Sequence, residues 1–220
     1  MSEDALELVR KPVGGDFEVL FNGIEAERFR SAEPWPTDGP TVFFLGRHEE
    51  RKGLDVLLRA VPSLPGDTRI WVAGTGPHTE ELRQRHTDER IEWLGRIDDD
   101  ERDRRLAGAT VFCAPSLGGE SFGVILLEAM AAGTPVVASA IPGYAKVAVS
   151  SEGRAAVLVE PGDATALATA LTEVLTDDSV AAELIDVGLR RSDEFDLERL
   201  CDLYLEMYRR ITVGAGAVAA

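Results

Sequence analysis

Apolar residues in this chain alternate between short unbroken runs and longer stretches with helical spacing. The runs at 41–45, 69–73, 91–94, 110–114 and 156–159, with a further run closing the segment before Ser139, read as strands buried on both faces. A short strand is also expected at 17–21, followed by the turn signal Asn22-Gly23. Between the runs, Leu54, Leu57, Leu58 and Val61 keep a helical period. Further helices are expected from the GTGP segment toward His86, after Asp98-Asp99-Asp100, over 121–132, within IPGYAKVAV, after Asp163, over 180–191 and over 195–211. Strands alternating with helices predict an α/β fold, a Rossmann-like doubly wound parallel sheet over 17–211. Residues 1–16 are expected to be a connector and 212–220 a disordered tail.

One stretch organises the rest, FCAPSLGGESFGVILLEAMAAGTPVVAS, from Phe112 to Ser139. It reads as strand, glycine loop, helix, turn and strand. Ser121 is placed to cap the helix, and Gly133 with Pro135 ends it. A helix start beside Gly118 and Gly119 offers unpaired N–H groups and a positive dipole end to an anion such as phosphate. Glu120 precedes the helix and Glu128 lies inside it, up to ~12 Å apart at helical rise. The pair fits one carboxylate on a sugar and one on a ribose with a diphosphate between them. A glycosidase acid and base, which sit roughly 5 to 9.5 Å apart, is the competing chemistry. A solvated helix face is the plain alternative for Glu128.

The basic run Arg47, Arg51, Lys52 is interleaved with Glu49 and Glu50, which is the pattern of a solvated charge cluster. Its position after the carboxyl end of a strand, where open α/β sheets bind ligands, gives it a second reading as an anion site. Gly74-x-Gly76 follows a strand, yet Thr79 stands where a dinucleotide fingerprint needs its third glycine, so close packing competes with nucleotide binding there. His78 and His86 are eight apart with no third ligand suggested, the pattern of surface histidines.

Composition narrows the function classes. The chain has 220 residues, 45% hydrophobic and 28% charged, enough for a sizeable core. With Lys+Arg at 23 against Asp+Glu at 39, the formal charge is -16, which disfavours nucleic acid or an anionic membrane as a partner of the surface as a whole. Cys113 and Cys201 are expected to be reduced, buried thiols of a cytoplasmic protein. The N-terminal segment is too acidic for a signal peptide, and no uncharged apolar run reaches the roughly 18 residues of a membrane span.

Taken together, FNGIEAERF, LGRHEERKG and GGESFGVILLEAMAAGTPVVAS, in this order along the chain, resemble the motifs of retaining GT-B glycosyltransferases, most closely those of bacterial phosphatidylinositol mannosyltransferases. The resemblance implies that the chain is the C-terminal, donor-binding half of a GT-B fold. It implies a nucleotide-sugar donor, GDP-mannose in that family, and a lipid acceptor of the phosphatidylinositol type. Carried over by position, Gly46 and Arg47 with Lys52 hold the diphosphate, Glu120 the donor sugar and Glu128 the ribose. Gly119, Phe122, Gly123 and Val124 line the sugar and diphosphate, and Ile97 with Asp99 meets the base. With Arg47 and Lys52 opposing the phosphate charge, no metal cofactor is required. The partners implied are the N-terminal GT-B domain, absent before Phe17, a peripheral membrane acceptor reached through it, and self-association of the apolar C-terminal helix.

Overall fold

The computed structural model describes residues 21–217 together with residues 10, 12, 14 and 17, with side chains described up to residue 210. In chain order the main elements are α1 (Ala26–Arg30), β1 (Thr41–Leu45), α2 (Leu54–Ala60), β2 (Arg69–Ala73), α3 (Thr79–Arg85), β3 (Ile91–Gly95) and α4 (Asp99–Gly108). There follow β4 (Val111–Ala114), α5 (Val124–Ala131), β5 (Val136–Ser139) and α6 (Pro142–Ala148), and a small hairpin of β6 (Val149–Ser150) and β7 (Gly153–Arg154). The chain closes with β8 (Val157–Val159), α7 (Ala164–Thr176), α8 (Asp178–Asp193) and α9 (Leu197–Ala217).

Six strands form one parallel sheet in the order β3-β2-β1-β4-β5-β8. The order runs outward in both directions from the β1–β4 neighbours, which is the switch point of a doubly wound sheet. Side chains alternate across each strand, so every run feeds two cores. Phe43, Trp71 and Phe112 enter one core with residues of α1, α4, α5 and α6. Val42, Phe44, Ile70, Val72, Val111 and Cys113 enter the other with α2, α3 and α7. The α8 helix serves both, through Val187 on one side and Leu184 on the other. Leu57 and Leu126 are fully buried, one in each layer, and each such side chain contributes about 1.5–3 kcal/mol through burial.

Helix starts follow the expected capping chemistry where aspartate is available. Asp98 accepts from the Glu101 N–H at 2.9 Å, and Asp163 accepts from the N–H groups of Thr165 and Ala166 at 2.9 Å each. Ser121 does not cap α5. The helix starts only at Val124, after Gly123 at φ +84°, because the Phe122 ring is anchored in the core against Phe21 and Phe195. Burial of that ring outweighs a hydroxyl cap, and the cap position moves from Ser121 to Gly123.

Two other expectations change. The last helix does not stop at 211 but continues through Ala217; residues 218–220 lie outside the described set. Cys113 is fully buried in β4, whereas Cys201 is exposed, since α9 leaves the body of the protein after Leu200. The expected connector at 1–16 and most of the 17–21 strand lie outside the described residues; Phe21 itself is not in a strand. Among the described residues no helix is long and apolar enough to cross a membrane.

Candidate active site

The loops after β1 and β4 meet at the switch point. After β1 the chain forms a single 3₁₀ turn, Glu50–Lys52, and closes it with Gly53 at φ +66°. A Cβ on Gly53 would lie 1.9 Å from the Pro115 carbonyl oxygen, so the two loops touch through backbone that only glycine permits. The Leu117 N–H donates to the Arg51 carbonyl at 2.7 Å and joins them further.

This junction brings Lys52 to Glu120. The Lys52 ammonium lies 2.6 Å from Glu120 Oε1, and the Arg51 guanidinium lies 3.1 Å from the same oxygen. Ser116 Oγ stands 3.5 Å from it and shares a 2.9 Å hydrogen bond with the Tyr144 hydroxyl. Burial pushes the Tyr144 phenol well above its ordinary range, so it stays neutral and serves as a hydrogen-bonding group. Gly143 completes the enclosure: its Cβ would fall 1.9 Å from the Glu120 carbonyl oxygen. Arg51 also donates to the Gly119 carbonyl at 3.4 Å and pairs with Glu49 at 2.8 Å. Arg51, Ser116 and Tyr144 are thus members of the site that sequence reasoning did not assign. Their placement depends on loops from different strands meeting, which spacing along the chain does not show.

The start of α5 lies beside this cluster. Among the described residues no acceptor meets the N–H groups of Gly123 and Val124, and Gly119 adopts φ +74° in the loop before them. Phe122 is a correction: its ring is 2% exposed, stacked on Phe21 at 5.4 Å, so only its backbone is able to reach a ligand.

Glu128 lies in the middle of α5 and is half-buried rather than on a solvated face. Desolvation holds its carboxyl above the ordinary range, with Arg102 and Arg28 opposing the shift and Asp103 and Asp99 adding to it. No hydrogen bond or ion pair is made by its carboxylate among the described residues, which leaves both oxygens for a ligand. Because Glu120 precedes Gly123 and Glu128 follows it, a single helical rise does not set their separation.

A second cavity, of about 530 Å3, opens at the carboxyl ends of β1, β2 and β3 and is lined by Gly46, Arg47, the Gly74–Pro77 loop, Arg96 and Ile97. Its glycines are explained by close approach: a Cβ on Gly74 would lie 1.9 Å from the Gly46 carbonyl oxygen, and one on Gly76 2.5 Å from that of His48. The G-x-G element therefore packs one loop upon another. The His48 imidazole beneath it is buried, bonded to Thr79 Oγ1 at 2.9 Å, and its pKa is lowered by desolvation. Arg47 is 71% exposed and lies 3.6 Å from Glu49, a loose contact that leaves it facing the cavity. Ile97 lines the cavity but Asp99 does not. As the first residue of α4, Asp99 turns to Arg28 at 3.5 Å and Arg102 at 3.4 Å. Arg96, unassigned from sequence, takes a place there.

His78 pairs with Glu81 at 3.3 Å and His86 with Asp55 at 3.2 Å, and no metal-binding cluster of His, Cys, Asp or Glu is present among the described residues. A groove of about 370 Å3 between α2, α3 and Leu117, bordered by Glu50 and Gly53, holds none of the assigned residues.

Known proteins resemble this chain in sequence and in fold. The family described as "Glycosyl transferases group 1" matches residues 39–177. The phosphatidyl-myo-inositol mannosyltransferase of Mycolicibacterium smegmatis is 38% identical over 213 residues, 93% of this chain and 54% of that protein. A glycogen synthase of Mycobacterium tuberculosis is 31% identical over 94% of this chain and 51% of its own length. The chain spans about half the length of the curated relatives it matches. Among solved structures, sucrose-phosphate synthase from Thermosynechococcus elongatus superposes with a TM-score of 0.82 at 28% identity, over 97% of this chain and 58% of that one. Anabaena HepE, solved with UDP-glucose, gives 0.80 at 19% identity over 95% and 62%, a likeness of fold. These neighbours are GT-B glycosyltransferases, and the sheet described above is the Rossmann-like fold they share. The family match covers well over half of the chain, all six sheet strands and both site loops, and the chain belongs to the glycosyl transferases group 1 family.

Proposed function

We propose that this chain binds the donor of a retaining glycosyl transfer: a nucleotide sugar, with GDP-mannose the donor and a phosphatidylinositol-type lipid the acceptor. The observation that carries the reading is the Lys52–Glu120 pair at the switch point, 2.6 Å apart beside the open N–H groups of Gly123 and Val124. A cation, a helix start and a carboxylate in one place suit a phosphate joined to a sugar. The helix start and Lys52 attract the diphosphate, and Glu120, whose Oε2 takes no partner among the described residues, accepts hydrogen bonds from sugar hydroxyls. Glu128, with no competing partner among the described residues, accepts from the ribose.

In the reaction, negative charge grows on the departing diphosphate as the bond to the anomeric carbon breaks. Lys52, Arg47 and the Gly119–Gly123 backbone would oppose that charge, the kind of preorganised electrostatics that usually supplies the largest share of catalysis. We assign the acceptor site to the half of the relatives' length that this chain does not span, so the chain alone binds donor without transferring sugar. This complementary half is its partner and would carry any contact with a membrane surface, and the setting is cytoplasmic.

Calorimetric titration with GDP, GDP-mannose, UDP and ADP tests the reading. Binding of GDP is expected to fall at least about tenfold in Lys52→Ala and in Arg47→Ala, the equivalent of ~1.4 kcal/mol. No measurable affinity for any of the four nucleotides, or no change in either variant, would remove the donor site. A nucleotide-sugar-binding module without catalysis fits the same residues; binding without turnover when the complementary half is supplied would select it.

A further inference from the structure

Two buried hydroxyls stand behind the Glu120 carboxylate, and the donor reading gives neither a task. Ser116, in the loop after β4, and Tyr144, in the first turn of α6, are each 2% exposed, and their oxygens lie 2.9 Å apart. Resting on the donor reading above, we infer that Tyr144 is a positioning residue: acting through Ser116, it fixes the Glu120 carboxylate so that Oε2 faces the donor sugar.

Packing holds Tyr144 in place. Gly143 brings the start of α6 against the backbone of Glu120, where a Cβ would fall 1.9 Å from the carbonyl oxygen. One residue on, the Tyr144 ring lies against Gly123, its Cδ1 2.8 Å from where a Cβ would sit there. Helix α6 is therefore pressed against both ends of the Glu120–Gly123 segment, and each contact depends on a missing side chain. A ring so enclosed keeps one orientation, and its hydroxyl becomes a fixed point behind the loop.

One arrangement of protons satisfies both hydroxyls, each of which has a single proton to give. If Ser116 gave its proton to Tyr144, the phenol proton would be buried with no acceptor among the described residues, and an orphan of that kind is costly. If Tyr144 donates to Ser116, the Ser116 proton goes to Glu120 Oε1 at 3.5 Å, and both protons are used. Burial, with the charge of Glu120 adding to it, holds the phenol above its ordinary range, so this donor persists at neutral pH. Oε1 thus receives Lys52 and Arg51 from the loop after β1 and Ser116 from the loop after β4. A carboxylate held by the two cations alone is free to turn about its last bond, a torsion with broad wells. The third donor, fixed by α6, restricts that rotation and leaves Oε2, which has no partner among the described residues, as the oxygen that meets the sugar.

Calorimetric titration of the whole chain with GDP and GDP-mannose tests this on Tyr144→Phe, on the double variant Tyr144→Phe with Ser116→Ala, and on both again in a Glu120→Ala background. Phenylalanine keeps the ring that packs against Gly123, and removing the two hydroxyls together leaves no orphan, so the double variant is expected to melt close to the parent. If it does not fold, Tyr144→Phe carries the same comparison. The double variant should bind GDP as the parent does and GDP-mannose about threefold or more weaker, with Tyr144→Phe alone shifted the same way by less. Where Glu120 is already alanine, the same substitutions should change GDP-mannose affinity by less than about twofold, because they act only through that carboxylate. Equal weakening of GDP and GDP-mannose would mean a general loosening of the loop and overturn the inference. So would an undiminished affinity for GDP-mannose, or a loss that persists in full without Glu120; in these cases Glu120→Ala still weakens GDP-mannose and the donor reading stands. A parent that does not bind GDP-mannose, or a Glu120→Ala variant that binds both ligands as the parent does, would overturn the donor reading and this inference together.

Discussion

Glu120 has two cationic partners, and both approach the same oxygen, Oε1. Arg51 and Lys52 are therefore unequal members of one cluster. Lys52 is the more enclosed and forms the shorter contact, whereas Arg51 reaches Glu120 while also holding the Gly119 carbonyl and Glu49. From the sequence, Arg51 is a bystander in a charge run; the structure makes it a residue that positions the carboxylate. Half exposed, its ion pair is worth no more than about 0.5–1 kcal/mol, or roughly a two- to fivefold effect. Arg51→Ala should weaken a nucleotide sugar by that factor and leave GDP unchanged, the same pattern expected, in larger degree, of Glu120→Ala. Titrations of both variants with GDP and GDP-mannose check this, and a loss of GDP affinity in Arg51→Ala equal to that in Lys52→Ala would place Arg51 on the phosphates instead. Glu128 gives a second residue-scale prediction with a defined sign. Its folded pKa is raised by burial, so the folded state binds more protons than the unfolded chain between the two pKa values, and stability is lost as pH rises through that window. Glu128→Gln removes the penalty. It should stabilise the ligand-free protein at pH 7 by on the order of 1 kcal/mol, with the gain vanishing in acid, while weakening nucleotide binding. Thermal melts from pH 4 to 7.5 with and without GDP read both effects, and a variant less stable than the parent at pH 7 would show that the carboxylate is stabilising the apo fold.

At the scale of elements, legibility follows from how local the deciding force is. The runs at 41–45 and 69–73 appear as strands with the expected bounds, because unbroken apolar residues ending at a glycine leave no competing structure. The aspartate caps at Asp98 and Asp163 were equally legible, since a cap involves only the next three residues. The start of α5 was not, because the burial of Phe122 against Phe21 and Phe195 is tertiary. The same reason hides Ser116, Tyr144 and Arg96, whose places depend on strands ordered differently in the sheet and in the chain. Among the site glycines, Gly53 carries the clearest requirement. It combines φ +66° with backbone 1.9 Å from where a Cβ would sit, and the obstacle is the carbonyl of Pro115 rather than a side chain that is free to move. Gly53→Ala should therefore separate the β1 and β4 loops, cost roughly 1–3 kcal/mol of stability, and reduce nucleotide affinity without touching any ligand-facing group. Gly66, which has open space around the Cβ position and no left-handed φ, is the control: Gly66→Ala should be nearly neutral in the same melts.

The whole molecule leaves one apolar surface without cover among the described residues. The α9 helix begins on the body of the protein, where Leu200 is buried and Gly23 packs against it. Beyond that point Leu203, Tyr204 and Leu205 are exposed. Leu200, Leu203, Tyr204 and Met207 recur at the spacing of one helix face, so the stripe is continuous with a face that is already packed at its start. Contiguous apolar patches of this kind on soluble proteins tend to mark interfaces. In the proposed assembly the stripe meets the complementary half, and without that half two copies of α9 are free to cover each other. Leu203→Asp places a charge in the middle of the stripe. Because Leu203 makes its contribution outside the core, the melting temperature at low concentration should change by less than the few degrees that about 1 kcal/mol produces in a chain of this size. Sedimentation at increasing concentration should show association for the parent and a monomer for the variant. A parent that stays monomeric throughout would show that the stripe does not drive self-association, and a variant that unfolds would show that α9 is packed onto the domain along its length.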